Sequence, residues 1–293
     1  MSESQGVCFF AYNNEQIDYA KLSMYAAKKV NQHLQKPCCL ITDEGTWSWL
    51  QQSHDKKEIQ TYFSDVVLTE DELEPNTRTH YDSPWTEYKA QFSNSNKHKV
   101  FEYSPYDETI LLDIDYIVKT DFLNQAWGNF DGVAMFNRAK SIRNTAPHIN
   151  ERVLFPYGID MWWSTVIYFD KSPQSKLFFD LWEHVKENYN FYQYLYNFPG
   201  KMFRTDYCVS IAAHILNGMG DGNEVNSFYG EMQNLSGKDD IVDSNGDTWI
   251  CLSHDPQKPW ENLLVRHTNH DVHCINKRAL GRIIDREKEN KNE

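Results

Sequence analysis

Short apolar runs alternate with helical periodicities through the first half of the chain, the pattern of an α/β protein with parallel strands. Val7-Cys8-Phe9-Phe10-Ala11 predicts a first strand, followed by Ala20, Ser23, Ala27 and Val30 at helical spacing. Cys38–Ile41 predicts a second strand that ends at Thr42-Asp43, and Val66–Leu68 a third. From Thr69 to about Lys99 the residues are polar with little periodicity, which predicts an irregular loop carrying one short helix. A fourth strand begins at Ile110 and closes at Asp113.

Farther along the pattern loosens. Gly132–Phe136 and Ser164–Phe169 read as strands. Ser172 followed by Pro173 starts a helix that runs to about Asn188, with Leu177, Phe178, Leu181 and Val185 on one side. A further helix spans about Thr205 to Leu216, with Thr205 as its cap, Asp206 in its first turn and Gly218 as its stop. Beyond Gly220 the chain is turn-rich, with a late strand at Trp249–Leu252 and a charged, frayed helix over the last dozen residues. No Gly/Ser/Pro-rich linker divides the chain. The expectation is one domain over residues 1–280 with a charged C-terminal tail over 281–293.

One strand breaks its own pattern. Ile110 to Val118 is apolar except for Asp113 and Asp115. Residues two apart on a strand share a face, so both carboxylates are expected to point the same way. Two like charges in an apolar setting need a bound cation, a shared proton or a strand end that opens onto water. Oxygen ligands suit a hard divalent ion such as Mg²⁺ or Mn²⁺. In open α/β sheets ligands sit beyond the carboxyl ends of the strands, which gathers Ala11, Tyr12, Asp43 and the Asp113/Asp115 pair around one crevice. There Asp43 is placed to accept from a nucleobase or ribose, and it reads equally as a turn aspartate ahead of Gly45.

The formal net charge of -13 argues against nonspecific nucleic-acid binding as the main activity. Small basic clusters at Lys97-His98-Lys99 and at Arg138, Lys140 and Arg143 leave room for a local phosphate contact. Aromatic residues make up 14 % of the chain and suit sugar or nucleobase surfaces as well as a core. The six cysteines show no C-x-x-C pair and no zinc spacing. No leader pattern and no apolar run of membrane-span length is visible, so the expectation is a soluble, reduced, cytoplasmic protein with neither a membrane nor an obligate protein partner.

Leu111-Leu112-Asp113-Ile114-Asp115-Tyr116-Ile117-Val118, four strands into an α/β half, resembles the DxD motif of GT-A-fold glycosyltransferases. Ser104–Thr109 ahead of it, and Phe9–Tyr12 through Thr42-Asp43, strengthen the likeness, which covers roughly residues 5–280 and is most specific at the DxD strand. The pattern is most similar to GT-A proteins of large tailed phages, some of which attach sugars, arabinose among them, to hydroxymethylated bases in phage DNA.

That resemblance implies a GT-A type fold, a Rossmann-like mixed central sheet flanked by helices with a C-terminal extension. It implies Mn²⁺ or Mg²⁺ on Asp113 and Asp115, a nucleotide-sugar donor such as a UDP-sugar, and a hydroxyl acceptor, hydroxymethylcytosine in DNA being one candidate. A phage origin would set the location as the host cytoplasm. It also implies that Ala11, Tyr12 and Asp43 hold the nucleoside, that Lys97 or Lys99 meets phosphate or ribose, and that Trp163, Ser164 and Thr165 face the donor sugar. Asp206 matches the family's acidic residue near the anomeric carbon or acceptor hydroxyl. GT-A enzymes commonly add a late histidine ligand. The candidates are His254, His267, His270 and His273, with His273 favoured and Lys277 behind it as a phosphate contact. Glycan, lipid or protein acceptors, a noncatalytic nucleotide-sugar-binding protein and a DxD phosphohydrolase stand as alternatives.

Overall fold

The computed structural model describes residues 4–70, 76–93, 96–143, 153–154, 158–198, 202–220, 222–255, 257–258 and 260–289. In its first layer β1 (Gln5–Ala11), β2 (Cys38–Thr42) and β3 (Asp65–Leu68) pair in parallel, joined through α1 (Tyr19–His33), α2 (Glu44–Ser53) and α3 (Lys56–Tyr62). β1 and β2 are buried on both faces, which is why those two read as continuous apolar runs, while β3 lies half-exposed at the edge. Aspartates start all three helices: Asp18, Asp43 and Asp55 each accept a backbone N–H of the first turn.

The next segment departs from the sequence expectation. In place of an irregular loop, β4 (Asn76–Ser83) and β5 (Thr86–Phe92) form an antiparallel hairpin. The positions of β4 are mostly polar and partly exposed, while Tyr88, Ala90 and Phe92 alternate with polar residues along β5, a short period-2 signal that the expectation of a loop misses. In the hairpin His80 and Ala90 are buried, His80 stacks on its cross-strand partner Tyr88 at 5.4 Å, and Arg278 over the Tyr88 ring and Arg282 on Asp82 tie the hairpin to the body. The short α4 (Val100–Tyr103) then leads into β6 (Glu108–Leu112), which pairs in parallel with β1.

A small second sheet starts where β6 ends. β7 (Tyr116–Ile117) leaves the main sheet directly after the two aspartates, and β8 (Val133–Phe136) and β9 (Ala139–Ser141) follow. The ribbon of β10 (Val153–Leu154) and β11 (Ile159–Asp160) precedes β12 (Trp163–Asp170), which runs antiparallel to both β6 and β8. α5 (Pro173–Glu187), capped by Ser172, carries Phe178, Phe179 and Trp182 onto the sheet. α6 (Tyr189–Tyr196) and α7 (Thr205–Leu216) follow. Arg204, not Thr205, occupies the cap position of α7, and Gly218 beyond its end takes φ +71°.

The turn-rich region beyond Gly220 holds more strand than its sequence suggests. β13 (Val225–Ser227) joins the main sheet, and β14 (Met232–Leu235) enters the small one. β15 (Asp240–Asn245), β16 (Thr248–His254) and β17 (Asn262–His267) form a meander, and β18 (Val272–Cys274) returns to the small sheet. α8 (Lys277–Glu289) crosses the 280/281 boundary without a break. Ala279, Leu280, Ile283 and Ile284 bury one face of it, so the charged stretch expected as tail is the outer side of a packed helix as far as Glu289.

The result is a mixed α/β protein. Its central sheet has the order β13-β8-β12-β6-β1-β2-β3, antiparallel at β12 alone, and the small sheet has the order β7-β18-β14-β9. From β1 the chain passes to β2 on one side, and β6 lies on the other. The carboxyl ends of β1 and β6 therefore flank a topological switch point, where such sheets leave a crevice. All six cysteines are free and buried, and no helix among the described residues is long and apolar enough to cross a membrane.

Candidate active site

A cavity of about 330 Å³ opens at that switch point. Phe10 and Tyr12 from the end of β1, Tyr19 from the start of α1 and the Asp113-Ile114-Asp115 segment line one side. Trp163, Ser164 and Thr165 of β12 and Arg204, Thr205 and Asp206 at the start of α7 line another.

The two aspartates are brought together by a turn rather than by strand alternation. β6 stops at Leu112, and a reverse turn follows in which the Tyr116 N–H donates to the Asp113 carbonyl at 2.9 Å. β7 then pairs antiparallel with β18, setting His273 opposite Tyr116, while the Cys274 N–H donates to the Asp115 carbonyl at 2.7 Å. This pairing carries His273 to the carboxylates across more than 150 residues of chain. One ligand atom from each of Asp113, Asp115 and His273 lies within 4.8 Å of the others. Among the described residues no other cluster of three or more His, Cys, Asp or Glu has metal-binding geometry.

His254 packs against Trp85, His267 lies 3.4 Å from the Lys119 ammonium and His270 contacts the Thr268 carbonyl, so none of these three joins the pair. The small sheet also orients His273. Asn234, its parallel-register neighbour on β14, places Oδ1 3.2 Å from His273 Nδ1. His273 Nε2 stands 3.5 Å from Asp115 Oδ2.

Each carboxylate has its own lysine. Lys277 Nζ lies 2.6 Å from Asp115 Oδ2, both side chains being buried, and Lys97 pairs with Asp113 Oδ1. Lys277 is the first residue of α8, where the helix dipole disfavours a cation. The buried Asn276 fixes it there, accepting the Ala279 N–H and donating to the Asp239 carbonyl. Burial pushes the Asp113 carboxyl up, with Lys97 opposing and the charge of Asp115 reinforcing the rise. At Asp115 burial is outweighed by Lys277 and His273, which hold the carboxyl well below its ordinary range. Two carboxylates and an imidazole that turns Nε2 toward them are a donor set that fits a divalent ion such as Mn²⁺ or Mg²⁺.

Across the cavity, half-buried Asp206 meets three donors. Its Oδ1 accepts from the Ser164 hydroxyl at 2.8 Å and from the Ser164 N–H at 3.1 Å, while Oδ2 meets Arg204 at 3.2 Å. Burial raises its pKa, but Arg204 and Ser164 outweigh that and keep the carboxyl below its ordinary value. Trp163 Nε1 and Tyr19 Oη are buried without a hydrogen-bond partner among the described residues, so two side chains of the cavity wall carry unpaired donors. The lining holds four cationic side chains (Arg78, Lys97, Arg204 and Lys277) against three carboxylates, so a chain with an acidic net charge has a cavity suited to an anion.

Of the residues singled out in the sequence, Tyr12, Lys97, Asp113, Asp115, Trp163, Ser164, Thr165, Asp206, His273 and Lys277 line this cavity. Ala11 is buried in β1 behind it, with its carbonyl accepting from Thr42 Oγ1. Asp43 caps α2 through the Thr46 N–H at 2.6 Å, and Lys99 ends a short 3₁₀ turn; neither is on the wall. Arg78, Asn234 and Arg204 are lining residues that the sequence did not flag. Arg78 lies in the unforeseen hairpin, and Asn234 in a strand with no hydrophobic signature.

No protein-family profile matches the chain, and no curated protein does. Among solved structures the chain is similar to the galactosyltransferase LgtC in complex with donor and acceptor sugar analogues, at 13% identity and a TM-score of 0.46, over 76% of this chain and 72% of that one. It is also similar to mouse xyloside xylosyltransferase 1, at 12% identity and a TM-score of 0.43, over 73% of this chain and 83% of that one. A third is the glycosyltransferase GlyE of Streptococcus pneumoniae TIGR4, at 12% identity and a TM-score of 0.42, over 78% of this chain and 46% of that one.

Proposed function

We propose that the protein is a divalent-cation-dependent glycosyltransferase, moving a sugar from a nucleoside diphosphate to a hydroxyl acceptor. The observation that carries this reading is the Asp113/Asp115/His273 cluster at the carboxyl end of β6, inside a cavity that also holds Lys97, Lys277, Arg78 and Arg204. Paired acids beside a phosphate-binding set of cations are what a cation–diphosphate complex requires. A divalent ion on the triad would supply charge neutralisation of the departing diphosphate.

The chain's own side chains divide the remaining work. Lys97 and Lys277 stand where they can donate to phosphate oxygens, and Tyr12 with Phe10 offers an aromatic wall at the nucleoside end. Trp163, Ser164 and Thr165 face the sugar, the indole N–H of Trp163 donating to a hydroxyl. Asp206, ionised and fixed by Arg204 and Ser164, stabilises positive charge developing at the anomeric carbon and orients the acceptor hydroxyl.

The finer assignment takes UDP as the nucleotide, Mn²⁺ or Mg²⁺ as the ion and hydroxymethylcytosine, flipped from DNA, as the acceptor. The last rests on the sequence resemblance alone. The test is a panel of UDP-glucose, UDP-galactose and UDP-arabinose with Mn²⁺, with and without hydroxymethylated DNA, following released UDP and labelled sugar on DNA. Cation-dependent UDP release from one donor supports the transferase. Failure to consume any nucleotide sugar with any acceptor contradicts it, and release without transfer to DNA removes the DNA acceptor only.

A further inference from the structure

We propose that Lys97 and Lys277 are built-in counter-ions that a divalent cation displaces from the carboxylates, so that cation and diphosphate bind weakly alone and strongly together. The inference rests on the cation-and-diphosphate reading of the site and adds how the two ligands depend on each other.

The oxygen of Asp115 that faces His273 Nε2 at 3.5 Å is the same Oδ2 that holds the Lys277 ammonium at 2.6 Å. Lys97 likewise occupies Asp113 Oδ1. Asp113, Asp115, Lys97 and Lys277 therefore form two opposite-charge pairs side by side, with Asp115 and Lys277 buried at the cavity wall. A dication entering this quartet alone adds two uncompensated charges beside buried ion pairs, which is costly.

Only the lysines are free to relieve it. His273 is tied through Asn234, and the backbone around Asp113 and Asp115 is pinned by the Thr165 and Cys274 pairings. Lysine stems are flexible, and their compact ammonium heads suit phosphate oxygens. Diphosphate oxygens give the displaced ammoniums new partners, and by linkage each ligand raises the affinity of the other by one common factor.

The test is calorimetric titration of Mn²⁺ into wild type, Lys277→Met and Lys97→Met, each without UDP and at saturating UDP. In wild type, UDP is expected to tighten Mn²⁺ by about tenfold or more. Removing either lysine is expected to tighten Mn²⁺ alone by about tenfold while weakening UDP in the presence of Mn²⁺. Mn²⁺ alone should also raise the melting temperature of Lys277→Met more than that of wild type, because it re-pairs an orphaned Asp115.

Mn²⁺ affinity that is unchanged or weaker in the folded lysine variants overturns the exchange. So does a wild type, which needs no substitution to fold, that binds Mn²⁺ equally with and without UDP; either result leaves the transferase reading standing. A wild type that binds neither Mn²⁺ nor UDP overturns both.

Discussion

The carboxamide oxygen of Asn234 stands 3.2 Å from Nδ1 of His273 on the adjacent strand. An amide oxygen only accepts, so the proton at His273 Nδ1 points to Asn234 and Nε2 is the ring atom that faces Asp115. Outer partners of this kind set the tautomer and ring orientation of a ligating histidine. Asn234→Ala is expected to lower Mn²⁺ affinity about 10–100-fold without loss of the fold. Titration in the presence of UDP measures this, and unchanged affinity would show that the contact orients nothing.

Asp206 is held ionised. Its carboxyl lies below the ordinary value because Arg204 and the two Ser164 donors outweigh the cost of burial. A depressed folded-state pKa contributes stability that is present above the usual carboxylate range and is lost as pH falls through the folded value. The profile of kcat/KM between about pH 5 and 8 should therefore carry no ionisation of Asp206. Asp206→Asn is expected to cost about 10²–10³ in kcat while UDP affinity changes little. A loss confined to KM would move Asp206 from charge stabilisation to simple donor binding.

Lys119 is a structural counterpart, buried with its ammonium 3.5 Å from the centre of the Trp249 ring and 3.4 Å from His267 Nδ1. Burial pulls its pKa down from 10.5 to about 7. Between those values the unfolded chain keeps a proton that the folded protein has released, so this group makes stability rise with pH across the window. Lys119→Met is expected to stabilise the protein by at least about 1 kcal/mol at neutral pH and to flatten that rise. Melting temperatures of both proteins from neutral to alkaline pH decide it, and parallel curves would contradict the assignment.

Arg78 reaches the cavity from the β4–β5 hairpin, which makes the hairpin part of the site. Arg78→Ala is expected to weaken UDP about tenfold, since charge-assisted bonds to phosphate are among the stronger polar contacts. Uridine, which lacks phosphate, should bind both proteins equally. Equal loss for UDP and uridine would place Arg78 at the nucleoside instead.

The chain discloses its buried strands and its acids, because continuous apolar runs leave few alternatives and a charge within one stands out. β1, β2, β6, β12, α5 and α7 follow the predicted segments closely. What stayed hidden depends on partners distant in sequence. The hairpin is held by His80, Ala90 and the Arg278 guanidinium over Tyr88; the alternation of Tyr88, Ala90 and Phe92 marks one strand of it, but the contact with Arg278 is not written in the local pattern. Residues of α8 beyond 280 look like tail until Ile283 and Ile284 are seen buried. In the same way Asp113 and Asp115 were legible as a pair, while the turn that aims them and the two lysines that balance them belong to tertiary structure.

The central claim is that Asp113, Asp115 and His273 hold a divalent cation against a diphosphate. Anomalous diffraction at the manganese edge, from crystals soaked in Mn²⁺ and UDP, tests it most directly. The account predicts one strong peak within about 2.2 Å of all three side chains and of a phosphate oxygen, absent from Asp115→Asn crystals. UDP bound in the cavity with no peak at the triad, or with the peak elsewhere, would contradict it.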